Sequence, residues 1–342
     1  MLTLRLLQTV FLIALALVVS RPALADCTGG AKPGIIFFVT DRAPLKDDQL
    51  FSGERGLNAK RLAVITRGTI QAPVSKRRER RCAGESSFFG SVAKSFSANK
   101  PQQILIYVHG YYTTFNTAAE DALSMQRSLQ FSGPVVLYSW PSKSTSRLAY
   151  VTDETNASWS LVHFRVLLAR LRSRFTNATI SFSTHSLGAR FAAEGMSYLR
   201  HSGCAKCLGR TALFAPDMDG DALRGELAAA GLCNGPPDTK PKRSAIVSLY
   251  VSNKDLALRQ SQRVHGHQRA GQAGSEMLLC NGVDTVDVSY FKSSDKAGHS
   301  YQTAGRILND MRQAFAGLAP ISPGRSLKRL NRTGGTYYEF KP

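Results

Sequence analysis

Six short runs of β-branched and aromatic residues, each followed by a stretch of helical period, decide what this chain can fold into. The runs are ILIYV (104–108), VVLYS (135–139), 178–183, 211–215, AIVSLYV (245–251) and 284–288. The stretches behind them are 116–130, 158–174, 187–201, 219–230, a short one opening at Asp255, and 300–315. In the second stretch, apolar residues at 161, 164, 167, 168 and 171 follow the i, i+3, i+4 spacing of an amphipathic helix. Asn116 or Thr117 stands where a cap would open the first helix. Pro141 closes the second run, because proline cannot continue a ladder. Two earlier runs, IIFFVT (35–40) and RLAVI (61–65), read as further strands. Strand–helix alternation of this length predicts an α/β fold, a mostly parallel central sheet with helices on both faces.

The first 25 residues stand outside that pattern. Arg5 is followed by the apolar run FLIALALVV (11–19), and Pro22 precedes Ala23-Leu24-Ala25. Charge, apolar core and an A-x-A site are the parts of a secretory signal peptide, so cleavage is expected after Ala25. The apolar run is too short to span a bilayer. Asp26 stands where a lipid-attachment signal carries a small residue, so a soluble exported protein, periplasmic or secreted, is expected rather than a lipoprotein on Cys27. No later segment is apolar enough for a transmembrane helix. The remaining chain reads as one domain over 26–318, in which 26–100 carries N-terminal strands and a basic loop. Residues 319–342, rich in Gly, Pro, Arg and Lys, read as a loosely packed extension.

Loss of Arg5 and Arg21 lowers the net charge from +20 to +18. A surface of that sign attracts polyanions, and an anionic envelope surface is a candidate partner. No feature points to a specific nucleic acid, and a basic, solvated surface is the simpler reading. The densest run, Lys76 to Arg81 (KRRERR), reads as a solvated loop. Six cysteines remain: Cys27, Cys82, Cys204, Cys207, Cys233 and Cys280. An even number in an exported chain predicts up to three disulfides among fifteen pairings. Cys204-x-x-Cys207 is also a redox spacing, but it follows a helix and precedes a strand, the reverse of a redox motif. A zinc site would need a second pair, and only His265-Gly266-His267 is on offer, so structural disulfides are favoured.

In an open parallel sheet, ligands sit beyond the carboxyl ends of the strands. Four such ends carry reactive residues. His109-Gly110-Tyr111-Tyr112 follows the run ILIYV, and a glycine there lets backbone N–H groups approach a substrate oxygen. Thr184-His185-Ser186-Leu187-Gly188 joins a strand to a helix and nearly matches G-x-S-x-G, the sharp turn that exposes a nucleophilic serine. Ser186 as a simple helix cap is the alternative. Asp255 follows AIVSLYV and is placed to orient a histidine or to cap the next helix. Asp217, in Ala215-Pro216-Asp217, is the rival acid. His299 lies after the last run and before the last helix, where a general base is expected. The order Ser186, Asp255, His299 is that of one serine-hydrolase fold. The backbone N–H groups of Tyr111 and Leu187 are the candidate oxyanion donors.

ILIYVHGYYTTF, GPVVLYSWPS, STHSLGAR, FAPDMD, YVSNKDLALRQS and GHSYQ, with VTDRAP and FSGERGL upstream, together resemble a bacterial α/β-hydrolase family catalogued as a domain of unknown function. The resemblance runs in order from about residue 35 to 315. It implies an α/β-hydrolase fold, similarity to esterases and lipases, and a triad of Ser186, Asp255 and His299. Tyr112 stands where members often have Asn, and Thr184 where they have Gly or Ala. The expectation is an exported serine hydrolase of carboxylic esters, with a small-molecule or lipid ester as substrate and no cofactor or metal. Two rivals remain: an inactive domain of this fold that binds a polyanion, and a thiol oxidoreductase using Cys204 and Cys207. The stretch 143–155 is a candidate cover for the site, with a plain surface loop as the simpler account.

Overall fold

Alternate residues of a strand face opposite sides of its sheet, and the central strands here are apolar on both. In β6 (Gln103–Val108), Ile104, Ile106 and Val108 join one core cluster while Leu105 and Tyr107 join the other. Such a strand must be covered twice, and the rest of the fold supplies the cover. The computed structural model describes residues 27, 33–45, 50–76, 78–143, 149–235, 243–293 and 295–341.

The chain opens with β1 (Ile35–Thr40), β2 (Arg42–Pro44), β3 (Phe51–Arg55), β4 (Thr66–Gln71), β5 (Arg78–Arg81) and α1 (Glu85–Ala93). After β6 come α2 (Phe115–Leu129), β7 (Val135–Ser139), α3 (Tyr150–Arg174), β8 (Thr179–His185) and α4 (Ala189–His201). Then follow β9 (Leu208–Phe214), α5 (Gly220–Ala229), β10 (Val247–Val251), α6 (Leu256–His265), β11 (Val283–Asp287), α7 (Gly305–Phe315), β12 (Leu327–Arg332) and β13 (Gly335–Phe340). Eleven strands form one sheet in the order β12-β13-β11-β10-β9-β8-β6-β7-β1-β4-β5. From β13 to β1 every pairing is parallel, and only the two margins are antiparallel. α1, α3, α4 and α5 pack on one face, and α2, α6 and α7 on the other. This is the α/β architecture expected from the alternation.

The chain leaves β6 toward β7 on one side, then returns across β6 to β8 and moves away toward β9. The winding therefore reverses between β6 and β8. Loops that leave such a switch point diverge and open a crevice at the carboxyl ends of the strands. The two loops here are 109–114 and the Ser186 turn.

Several local expectations change. RLAVI is no strand: Arg61 takes φ 57°, which ends an extended run, and only an isolated bridge joins Leu57 to Ala63. The strand there is β4, which runs unbroken through Gly68, where a Cβ would lie 2.4 Å from the Arg80 carbonyl. The basic run is partly an edge strand, β5, rather than a loop; exposed charge on an edge discourages pairing with another chain. Thr114 caps α2, not Asn116 or Thr117, and its hydroxyl accepts the Thr117 N–H. α3 starts at Tyr150 rather than near 158, because Asp153 and Asn156 are buried and hydrogen-bonded. The candidate cover is thus partly helix; residues 144–148 of it, like the signal peptide, lie outside the described residues. α7 starts at Gly305 rather than 300, since Asp295 takes the backbone N–H groups of His299 and Ser300.

The end of the chain is not loose. β12 and β13 form a hairpin that joins the sheet at β11, and Arg325 before it is 1% exposed. The cysteines form three disulfides, Cys27–Cys82, Cys204–Cys207 and Cys233–Cys280. Cys204–Cys207 closes a turn between α4 and β9, with no helix opening behind it. Among the described residues, no helix is long and apolar enough to cross a membrane.

Candidate active site

β8 ends against the first turn of a helix, and the turn between them is sharp. Ser186 takes φ 53°, a left-handed conformation that costs a non-glycine residue about 1–2 kcal/mol. The turn fits because its neighbours lack side chains. A Cβ on Gly188 would lie 2.6 Å from the Val108 carbonyl, and one on Gly110 would lie 2.7 Å from Ser186 Cβ. The Ser186 carbonyl accepts the Asp217 N–H at 3.2 Å, which ties the turn to the end of β9. Ser186 is not a helix cap: α4 has Gly188 at that position, with no side-chain cap bond. Leu187 lies in the 3-10 turn Ser186–Gly188, where first-turn N–H groups have no intrahelical partner. Thr184, two residues before the serine, is fully buried between Val108 and Leu213 of the flanking strands. The turn accommodates its side chain, but its hydroxyl has no hydrogen-bond partner.

His299 reaches the same end of the sheet on the loop after β11. Its Nδ1 lies 2.7 Å from Asp255 Oδ2, and the Asp255 side chain is fully buried. The other oxygen, Oδ1, accepts the Leu258 N–H at 2.9 Å and caps α6. Asp255 thus performs both roles its position offered. The backbone of this corner is fixed as well. Leu256 N–H donates to the Ala297 carbonyl (2.8 Å), and Gly298 takes φ 72° against the Lys254 carbonyl, where a Cβ would lie 2.5 Å away. Asp295 Oδ1 accepts the His299 N–H (2.9 Å), and His185 Nε2 donates to the His299 carbonyl (3.1 Å).

Two histidines side by side are shifted in opposite directions. Burial pushes the His185 imidazole down to about 3, helped by the nearby His299 charge, so it stays neutral. Burial also lowers His299, but the Asp255 carboxylate outweighs it and the net shift is upward. Their ring centroids are 4.6 Å apart, which brings His299 beside the residue preceding Ser186. Among the described residues, no hydrogen bond links the Ser186 hydroxyl to His299.

Asp217 is occupied elsewhere. Its Oδ1 accepts from Arg269 Nε (2.7 Å) and the Ser261 hydroxyl (2.6 Å), and its Oδ2 from the Tyr150 hydroxyl (2.7 Å). The rival acid therefore anchors α3 and α6 to the end of β9, and it is Asp255 that meets His299.

The loop after β6 is held from three directions. Arg42 donates to His109 Nε2 (3.1 Å) and to the Thr113 carbonyl (2.7 Å). The Ser142 hydroxyl accepts the Thr113 N–H (3.3 Å) and donates to Asp153 (2.6 Å). The Tyr112 backbone also bonds Asp153, and Tyr112 takes φ 57°. The His109 ring stacks on Trp140 with centroids 5.1 Å apart, and the indole N–H donates to the His109 carbonyl. VTDRAP and GPVVLYSWPS contain Arg42 and Ser142, yet nothing in the sequence alone assigns them or Asp153 a role. The signal available was a charged residue inside an apolar, strand-like run.

The sequence model of a family described as "Alpha/beta hydrolase of unknown function (DUF900)" matches residues 85–312. Among solved structures, a cutinase-like protein from Cryptococcus sp. is similar at 13% identity and TM-score 0.35, over 65% of this chain and 96% of its own. A fungal esterase structure from Rhizomucor miehei is similar at 10% identity and TM-score 0.37, over 83% and 85%. Phospholipase PlaB from Legionella pneumophila, in complex with thio-NAD, is similar at 13% identity and TM-score 0.29, over 70% and 67%. No curated protein matches the chain.

Proposed function

The chain belongs to this family of α/β hydrolases of unknown function, and from that premise we propose that it is an exported serine hydrolase of carboxylic esters. The observation that carries the reading is the buried Asp255–His299 pair, packed on His185, the residue before a serine in a left-handed turn where the sheet's winding reverses. Ser186 attacks the ester carbonyl, and His299 takes its proton. Asp255 keeps the ring proton on Nδ1 and stabilises the imidazolium. The Tyr111 and Leu187 N–H groups stabilise the oxyanion. His299 returns the proton to the leaving alcohol, and water then releases the acyl group by the same path. The contact from serine to base forms as substrate docks, since apo geometry is often looser than that of the reacting complex. Three disulfides support an oxidising destination after signal-peptide cleavage.

A fluorophosphonate probe tests the reading. Labelling of the wild type that vanishes in Ser186→Ala is the expected result. Folded wild-type protein that takes no label overturns it. A graded series of p-nitrophenyl esters then ranks acyl-chain length.

A further inference from the structure

Arg42 is completely buried, yet among the described residues no carboxylate lies within ion-pair distance of it. Its five N–H bonds meet five neutral acceptors. Nε donates to the Ser139 hydroxyl (2.9 Å), one terminal nitrogen to the Ser52 (3.1 Å) and Ser142 (3.3 Å) carbonyls, and the other to the Thr113 carbonyl and His109 Nε2. Charge neutralisation is not what this residue provides. It provides direction.

A guanidinium can only donate, so His109 Nε2 must accept. The Ser139 hydroxyl, which already receives Arg42 Nε–H, turns its own proton to the same ring nitrogen at 3.1 Å. The ring proton is left on Nδ1, and Nδ1 donates to the Gly110 carbonyl at 2.8 Å. A trans peptide is planar with its C=O and N–H opposed. With the Gly110 carbonyl held toward the buried ring, the Tyr111 N–H is turned the other way. Burial and the Arg42 charge hold the imidazole well below its usual range, so the arrangement does not titrate away near neutrality.

We propose that Arg42 and His109 are positioning residues: by fixing the His109 tautomer they set the Gly110–Tyr111 peptide plane, and so aim the Tyr111 N–H at the oxyanion. The relay joins β2, at the start of the fold, to a loop beside Ser186. It rests on the serine-hydrolase reading.

Two isosteres separate this role from simple packing. The side-chain N–H of Asn sits near the place of Nδ1–H, and that of Gln near Nε2. His109→Gln should lower kcat about 100-fold, the loss of one oxyanion donor, with KM unchanged. Its affinity for phenylboronic acid, which forms a tetrahedral adduct on the serine, should fall in parallel. His109→Asn should recover most of both. Arg42→Lys keeps the charge, but its shorter side chain ends short of the terminal nitrogen that serves both His109 and Thr113, and the variant should lower kcat likewise. Near-UV circular dichroism identifies folded protein. If His109→Gln and Arg42→Lys move only the melting temperature and leave kcat and boronate affinity at wild-type values, the proposal is wrong and the serine-hydrolase reading stands. If the wild type takes no Ser186-dependent fluorophosphonate label, both fall. Should His109→Gln not fold, Arg42→Lys and His109→Asn decide alone, by a kcat loss in the first and its retention in the second.

Discussion

Arg42 and Arg325 are both buried guanidiniums, at opposite ends of the parallel strands, and they solve the cost of burial differently. Arg325 meets two carboxylates: Asp310 at 2.8 Å, through Nε, and Asp284 at 2.9 Å. Tyr250 and Ser244 close the cluster, and burial of Arg325 is outweighed by Asp310, so its pKa rises. Arg42 meets only carbonyls, a hydroxyl and an imidazole, and burial pushes it down to about 9. Near Arg325 the positive charge meets carboxylates directly, which suits a clamp that fastens the C-terminal hairpin. Near Arg42 no carboxylate makes direct contact, and Asp41 and Asp153 offset only part of the burial; Ser186 and Tyr112 carry left-handed backbones, as Ser326 does beside Arg325, and Thr184 has an orphan hydroxyl. Strain of this kind persists only where surrounding structure over-determines it. One end is built to hold, the other to orient.

Separating activity from stability breaks or sharpens this contrast, and the largest effect belongs to Asp255. Asn caps a helix as well as Asp, so Asp255→Asn should leave stability within about 0.5 kcal/mol while kcat falls on the order of 10⁴-fold. Asp217→Asn should do the reverse, weakening the buried Arg269 contact and sparing kcat. Ester kinetics and urea unfolding of both variants check this, and exchanged outcomes would make Asp217 the acid. At the far end, Arg325→Met should cost about 3–5 kcal/mol, because two buried carboxylates lose their partner. The folded fraction should keep wild-type kcat; a parallel loss of activity would mean that the two ends are coupled.

A pH profile probes the site end alone. The folded pKa of His299 is raised despite burial, because Asp255 favours the imidazolium. The base must be neutral to act, so kcat/KM should fall on acidification with a midpoint above the usual value of about 6.5. Asp255→Asn should move that midpoint down; an unmoved midpoint would show that another group sets the limb. In stability terms a raised histidine pKa helps fully below the unfolded value. That help is lost as pH rises through the folded value. The smallest effect is expected at Thr184. Thr184→Val removes a buried hydroxyl without a partner, and should stabilise by about 1 kcal/mol at unchanged kcat. A destabilised Val variant would show that the hydroxyl has a partner in solution.

Much of the site was legible because its residues follow strands. Ser186 and Asp255 come just past a strand and His299 lies in the long loop after the next one, and in a parallel sheet such positions gather at one end. The network behind them was not legible. VTDRAP places Asp41 and Arg42 next to each other, yet Asp41 turns to Tyr138, Ser160 and His163 while Arg42 turns to His109. Asp41 is the single residue between β1 and β2, where the two side chains part, and the partners waiting on each side come from segments about 70 to 120 residues away. Residues 319–342 depart from the expected loose extension for a similar reason. Their Gly, Pro and basic content describes an exposed edge hairpin as well as a loose tail, and only Asp284 and Asp310 decide that Arg325 goes inside.

The sequence by itself determined the alternation of the central strands and helices, and with it the α/β class and the end of the sheet where chemistry gathers. Periodicity and chain order are local properties, and a parallel sheet converts them into position. Tertiary structure alone decided which of two acids faces His299, and which tautomer His109 adopts. It also set how Thr184 is accommodated and which basic residues are buried. Those outcomes depend on the direction of side chains that meet across strands distant in sequence, where hydrogen-bond geometry selects one partner over another of the same chemical type.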